Sequence, residues 1–338
     1  MVVDLQSLRY PIIQAPMAGG PSTPELAAAV SGAGGLGFLA AGYRTVAELR
    51  ADIAAVRART EAPFGVNLFV PGTGPRPEET ALETYAERLR PDAERYGVRL
   101  GDPVADDDGW AEKLALVAGE RVPVVSFVFG LPGREVVEEL RRAGALVLVT
   151  VTTPAEAVAA WEGGADALVA QGVEAGGHRG GFTDEGDLGL LALLRLVARH
   201  TPLPVVGAGG VMDHAGVAAV LAAGAVAAQL GTAFLLCPEA GTSQPYRAAL
   251  ASASATALTR AFTGRLARGL VNRFLAEHSA YAPAAYPQIH RLTAPLRAAA
   301  RRAGDAEMIN LWAGQGFALA RDTPAAELVR ELGTGHTR

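Results

Sequence analysis

Eight short apolar runs recur along the chain, each close to a glycine or a polar residue at its C-terminal end. They are Ile12 to Ala15, Gly35 to Ala40, Gly65 to Phe69, Val122 to Phe127, Leu146 to Thr150, Ala167 to Ala170, Pro204 to Ala208 and Ala225 to Leu230. Runs of this kind read as parallel strands buried on both faces, since such a strand has no wet side to alternate with a dry one. Helical patterns separate most of them, over Pro24 to Ser31, Val46 to Arg57, Arg134 to Arg142, Pro154 to Glu162 and Leu188 to Arg199. Ser22 or Thr23 precedes Pro24, Thr45 precedes Val46 and Thr153 precedes Pro154, so N-cap candidates stand where these helices should begin. Strand and helix repeated eight times predict the α/β class and a (β/α)8 TIM barrel.

The chain has 338 residues, more than the ~250 of a typical barrel of this kind. Two stretches hold the surplus. Val70 to Glu120 is rich in Pro, Asp, Glu and Arg and reads as an excursion after the third strand, with helix over Glu78 to Arg90 and loop around Asp106 to Asp108. Pro238 to Met308 follows the eighth strand, is largely helical and amphipathic in pattern, and carries a Tyr/Pro/His cluster from Tyr281 to His290. The expected division is a barrel over 1–237, a helical cap inserted after the eighth strand over 238–308, and a C-terminal segment over 309–338. In that last segment Ile309 to Leu332 should return to the barrel wall as a helix.

Composition excludes several classes. The formal net charge is −5 and no run of basic residues occurs, so no electrostatic footprint for nucleic acid exists. Lys113 is the one lysine, a bias that concerns base composition and leaves function untouched. Cys237 is the single cysteine, so an intrachain disulfide or a cysteine-built zinc cluster is impossible, and a reducing, cytoplasmic setting is expected. The N-terminal residues lack the pattern of a signal peptide. Ala215 to Cys237 carries no charge and has the length of a membrane span. Its alanines, its interrupting glycines and Gln229 make it a helix, a glycine stop and a buried strand, and no membrane role is expected.

Barrel enzymes work at the C-terminal ends of their strands, with phosphate often docked on the loops after the seventh and eighth. Here those loops are Gly207-Ala208-Gly209-Gly210 and Gln229-Leu230-Gly231-Thr232. Either loop alone is explained as a tight turn. Together, at the two expected positions, they point to a phosphate-bearing ligand approached closely by backbone N–H groups. Asn67 and Gln171 stand at two other strand ends, with amides suited to the edge of a pyrimidine-like ring, and Gln14 and Met17 should lie beneath it. Singly, each such amide is more often a satisfied structural group.

His178 lies in Gln171 to Gly181, QGVEAGGHRGG, an ionisable ring among glycines at the end of a buried strand. Its ordinary pKa near 6.5 suits a base at neutral pH; the structural alternative is a histidine bonded within its own loop. His290, in the cap, is a second candidate, for substrate contact. His200 at a helix end, His214 at a helix start and His336 in the tail read as solvated structural residues.

These motifs carry a resemblance that spans nearly the whole chain. PIIQAPMAGG (Pro11 to Gly20), GVNLFVP (Gly65 to Pro71), VSFVFG (Val125 to Gly130), AQGVEAGGHRG (Ala170 to Gly180), GAGGV (Gly207 to Val211), QLGTAFL (Gln229 to Leu235) and TGRLARGLVN (Thr263 to Asn272) resemble the nitronate monooxygenases, once called 2-nitropropane dioxygenases. The HRG continuation, with YPQIHRLTAPLR (Tyr286 to Arg297) and LWAGQG (Leu311 to Gly316), is similar to the nitronate-oxidising class I branch specifically.

The resemblance implies an FMN cofactor, a nitronate and O2 as reactants, and a carbonyl compound and nitrite as products. Propionate 3-nitronate, a metabolic poison, is the implied substrate, and detoxification the implied role. It places FMN on Asn67, Gln171, Gly176, Gly209, Gly210 and the run Gln229, Leu230, Gly231 and Thr232, with backbone contacts from Met17 and Ala18. His178 would be the catalytic residue, removing the α-proton of a neutral nitroalkane or helping to bind a preformed nitronate. Tyr286 and His290 would face the substrate.

Three rivals stay open. One shares barrel and FMN but oxidises NADH, reducing a quinone or an enoyl thioester; His178 does not discriminate it. The second is a redox-inactive isomerase or lyase with its substrate phosphate in the Gly209 and Thr232 site, weakened by the lack of a catalytic lysine at a strand end. The third is a non-catalytic flavin carrier, which would not require His178. The sequence shows no coiled-coil seam and leaves the oligomeric state open.

Overall fold

The computed structural model describes residues 3–72, 77–184 and 186–335, and His336 lies outside them. Its elements in chain order begin with β1 (Ile12–Gln14), α1 (Pro24–Gly32), β2 (Phe38–Ala40), α2 (Val46–Arg57), β3 (Gly65–Phe69), α3 (Glu79–Arg95) and α4 (Trp110–Gly119). There follow β4 (Val124–Val128), α5 (Arg134–Arg142), β5 (Leu146–Val151), α6 (Pro154–Glu162), β6 (Ala167–Gln171), β7 (Gly177–His178) and α7 (Leu190–His200). The rest are β8 (Val205–Ala208), α8 (His214–Ala222), β9 (Ala227–Leu230), α9 (Gln244–Ser252), β10 (Thr256–Thr259), β11 (Ala267–Leu270), α10 (Arg273–His278), α11 (Gln288–Arg302) and α12 (Ala325–Gly333).

Eight parallel strands form the barrel in the order β1-β9-β8-β6-β5-β4-β3-β2. It closes where Gln14 N–H donates to the Leu36 carbonyl at 3.0 Å and Leu36 N–H returns to that of Ile12 at 3.0 Å. Alternate strand residues point in and out. Ile13, Leu148, Val169 and Val206 fill the interior with Phe38 and Val124, and Leu5 and Leu8 from the N-terminal turn join them. Ile12, Val149, Val151, Leu168 and Val205 point outward onto Leu193, Leu194, Val217 and Val220 of the helices. All eight apolar runs therefore become barrel strands, and α8 with β9 accounts for the uncharged Ala215 to Cys237 segment. No helix among the described residues is long and apolar enough to cross a membrane.

The expected helix starts are built from the predicted caps. The Thr23 hydroxyl accepts from Leu26 N–H at 3.0 Å, the Thr153 hydroxyl from Glu156 N–H at 3.2 Å, and Thr45 with Glu48 completes a reciprocal capping box.

Three expectations need correction. The excursion after β3 contains a helix the pattern did not reveal, α4, whose Leu116 and Val117 pack with Ile53, Val56 and Phe64 as the wall helix of that barrel unit. Its other helix, α3, instead carries Leu82, Tyr85 and Leu89 into the core of the cap, against Phe262, Phe274, Ile289 and Leu292. The cap itself is not wholly helical: β10 and β11 form an antiparallel hairpin, and β11 pairs with β7, setting Ala267 opposite His178. Finally, Ile309 to Leu332 is helical only in α12, apart from a 3-10 turn at Phe317–Leu319. The stretch before it crosses the barrel mouth as extended chain, tied down by Gln315 N–H donating to the Glu174 carbonyl at 3.0 Å.

Candidate active site

A cavity of about 430 Å³ opens at the C-terminal ends of the barrel strands and is roofed by the cap. Met17, Ala18, Asn67, Gln171, Gly176, His178, Gly209, Gly210, Gln229, Leu230, Gly231, Thr232 and His290 all line it, so residues up to 273 positions apart in sequence, 290 − 17, meet on one surface. Tyr286 is not on the wall; it stands behind, its ring 6.0 Å from that of His178 and 5.5 Å from that of Phe129.

The two glycine loops have the form expected of a phosphate cradle. Gly209 has φ +122° and Gly210 φ +71°, conformations that residues with side chains adopt only rarely. Among the described residues the backbone N–H groups of Gly209, Gly210 and Gly231 donate to no protein acceptor. Thr232 starts a one-turn 3-10 helix, and its hydroxyl accepts from Gly314 N–H at 2.9 Å. Gly176 is required for a different reason: a β-carbon there would lie 2.5 Å from the Ala313 carbonyl carbon and Gly314 nitrogen of the crossing strap.

The amides divide. Asn67 donates to the Ser126 hydroxyl at 2.9 Å and the Ser126 carbonyl at 3.2 Å, which leaves its Oδ1 as an uncommitted acceptor in the cavity. Gln171 donates to the His178 carbonyl at 3.1 Å and accepts from Gly180 N–H at 2.8 Å. It braces the loop that carries the histidine and retains one N–H. Gln14 is not at the site. Fully buried, it accepts from Phe38 N–H at 2.9 Å and donates to Ser22 Oγ and the Ala15 carbonyl, a satisfied structural group. Met17 spends its own N–H on Ser22 Oγ at 2.8 Å and lines the cavity otherwise.

His178 is held from both sides. Its backbone is in β7, and its Nε2 lies 2.9 Å from Thr263 Oγ1 in the cap, leaving Nδ1 for whatever occupies the cavity. The ring sits deep in the molecule although its cavity face is open. Burial, with the charges of Arg265 and Arg297 adding to it, pushes the imidazole down to about 3. The ring is neutral at pH 7. His290 is pushed down to about 2 by burial and Arg297, and stacks on Tyr43 with ring centroids 3.9 Å apart. The Tyr43 hydroxyl is raised to about 12 by burial and meets that of Tyr286 at 3.3 Å.

Several wall residues escaped the sequence reading: Tyr43 and Phe129, both with positive φ, and Thr263, Arg297, Asn310 and Trp312 from the cap and strap. Thr263 and Arg297 lie within motifs quoted above, but nothing in their spacing marked them as chemical. Cys237 is buried, its thiol raised to about 12 by burial, which removes it as a nucleophile.

A family profile for nitronate monooxygenase matches residues 2–335. A nitronate monooxygenase of Pseudomonas aeruginosa is 47% identical, over 97% of this chain and 96% of its own. Among solved structures, the nitroalkane oxidase of Streptomyces ansochromogenes superposes with a TM-score of 0.94 at 55% identity, over 97% of this chain and 96% of that one. FabK from Thermotoga maritima is more distant, with a TM-score of 0.76 and 29% identity over 97% and 93%.

Proposed function

The chain belongs to the nitronate monooxygenase family, and from that premise we propose that it is an FMN-dependent enzyme oxidising alkyl nitronates with O2 to a carbonyl compound and nitrite. Propionate 3-nitronate is the proposed substrate, and detoxification in the cytoplasm the proposed role. The reading is carried by one observation: a neutral His178 faces a cavity whose far loops, at Gly209, Gly210 and Gly231, hold unspent backbone N–H groups.

The residues fit the cofactor. Those N–H groups would hold its phosphate. Asn67 Oδ1 and the remaining Gln171 N–H supply one acceptor and one donor for a ring edge. When bound, FMN supplies the electron acceptor for the nitronate and the means of passing electrons to O2.

The chain's own work is orientation and proton control. Thr263 has a single hydroxyl proton and two neighbouring acceptors, His178 Nε2 at 2.9 Å and the Arg265 carbonyl at 3.2 Å. Given to the histidine, it sets the tautomer in which Nδ1–H donates into the cavity, which suits an anionic nitronate. Given to Arg265, it leaves the Nδ1 lone pair exposed, as a base requires. Burial favours the first use, because abstracting a proton would create an imidazolium in a site that disfavours one. A preformed nitronate is therefore the better substrate than its parent nitroalkane. Phe129, Tyr286 and Trp312 close around the ring and keep water from it.

The test is anaerobic stopped-flow absorbance of the purified flavoprotein, mixed separately with propionate 3-nitronate and with NADH, then a nitrite assay in air. Flavin reduction by the nitronate with nitrite release is the expected result. Reduction by NADH alone would move the protein to the reductase reading, and protein that takes up no FMN would favour a redox-inactive barrel.

A further inference from the structure

Arg297 is a buried cation without an acid. It is 7% exposed, on the cavity wall. Nε donates to Thr293 Oγ1 at 3.0 Å, Nη1 to Asn310 Oδ1 at 3.1 Å, and Nη2 to His290 Nδ1 at 3.2 Å and the His290 carbonyl at 3.0 Å. Every one of these acceptors is neutral. The other buried arginines and the half-buried Arg265 differ: Arg179 lies in the field of Glu156 and Glu174, Arg265 in that of Asp184 and Glu156, Arg268 in that of Glu174. For Arg297 the charged neighbour that matters is another cation, Arg301.

Arg301 is four residues further along α11, exposed at the rim and part of the same cavity wall. Like charges at this spacing weaken a helix, and a buried charge left unpaired is costly. The hydrogen bonds of Arg297 tie α11 to the strap at Asn310, but none of them neutralises its charge. Among the described residues, no Asp or Glu lines the cavity. Arg297 stays protonated at neutral pH, though burial lowers it to about 10.

Resting on the nitronate reading above, we propose that Arg297 and Arg301 form an anion subsite for a carboxylate on the substrate chain, separate from the nitronate group. It lies on the cap helix α11, whereas the glycine loops suited to phosphate belong to the barrel, so cofactor and substrate anions have separate sites. A substrate with charge at both ends would be held by the arginines at one end and presented to His178 at the other. His290, its Nδ1 accepting from Arg297, is kept in the Nε2–H tautomer as a further neutral donor on this wall.

The experiment compares propionate 3-nitronate with propyl-1-nitronate, which has the same chain length and no carboxylate. In Arg301→Gln, the ratio of their kcat/KM values should fall by on the order of tenfold, the worth of one charged hydrogen bond, through KM. Simple propionate should inhibit the wild type competitively and the variant far less. Arg301 sits at the rim, so folding should survive. Arg297→Lys, which keeps the charge, should lose less of the ratio than Arg297→Met.

Equal losses for both nitronates would mean that the arginines serve the nitronate group, and would overturn the proposal. Reduced flavin content in Arg301→Gln would assign the pair to the cofactor phosphate and overturn it too. If neither nitronate is turned over by the wild type, it is the parent reading that fails.

Discussion

The Nε2 of His178 and the hydroxyl of Thr263 stand 2.9 Å apart across 85 positions of sequence, one in the short strand β7 that follows barrel strand β6 and the other in the loop between two cap strands. The contact decides which ring nitrogen carries the proton and fixes the ring against rotation. Barrel and cap are thereby joined at the one side chain on which the proposed chemistry depends.

Removing the hydroxyl isolates that role. Thr263→Val is expected to lower kcat by about tenfold while FMN content stays normal, because Thr263 orients the imidazole and is remote from the glycine loops. His178→Ala should cost on the order of 10²-fold or more. Steady-state kinetics with flavin quantitation separates the two, and the double variant should be no worse than His178→Ala alone.

Rate against pH follows from the neutral ring. Since His178 is pushed down to about 3, kcat/KM for a preformed nitronate should show no inflection between pH 5 and 8 from this group; that parameter reports the free enzyme. A break near 6.5 would show an imidazole that titrates normally, and with it a site wetter than described.

Stability should respond to the same burial with a definite sign. His178 and His290 are pushed down from 6.5 to about 3 and about 2. Below 6.5 the unfolded chain binds protons that the folded one refuses, so stability present above that pH is lost progressively as pH falls toward 3. Tm should decline across this window. His178→Gln with His290→Gln should decline less steeply, and an unchanged slope would refute the account.

Backbone proximity at Gly176 gives a test independent of chemistry. A methyl group there must push the strap at Ala313 and Gly314 aside, and overpacking of this kind costs about 1–3 kcal/mol. Gly176→Ala should unfold at lower temperature and lose FMN more readily, measured by thermal melts and by flavin retention on dialysis.

The barrel was legible because each of its strands is covered on both faces, which leaves a short run dominated by apolar residues, and because Thr23, Thr45 and Thr153 announce helix starts through their own side chains. The glycine loops and His178 were legible for a related reason: they follow the C-terminal ends of such runs, where a barrel places its chemistry. The hairpin of β10 and β11 was hidden. Its partner, Gly177–His178, is two residues long and becomes a strand only by tertiary contact. Arg297 was hidden too, since an arginine in an amphipathic helix ordinarily faces water and only the packing of α11 onto the cavity turns it inward. The strap 309–324 looked helical from its apolar content, yet its glycines serve close approach: a β-carbon at Gly316 would lie 2.6 Å from Met212 Cγ.

The pairing of β11 with β7 bears on how such enzymes can diversify. Because the roof that shapes the substrate space also supplies the neighbouring strand for His178, a grafted roof from a relative would bring its own alignment of the imidazole with it. Selectivity and turnover are then inherited together, and new specificities should arise by point changes on α11 more readily than by exchange of the whole insert.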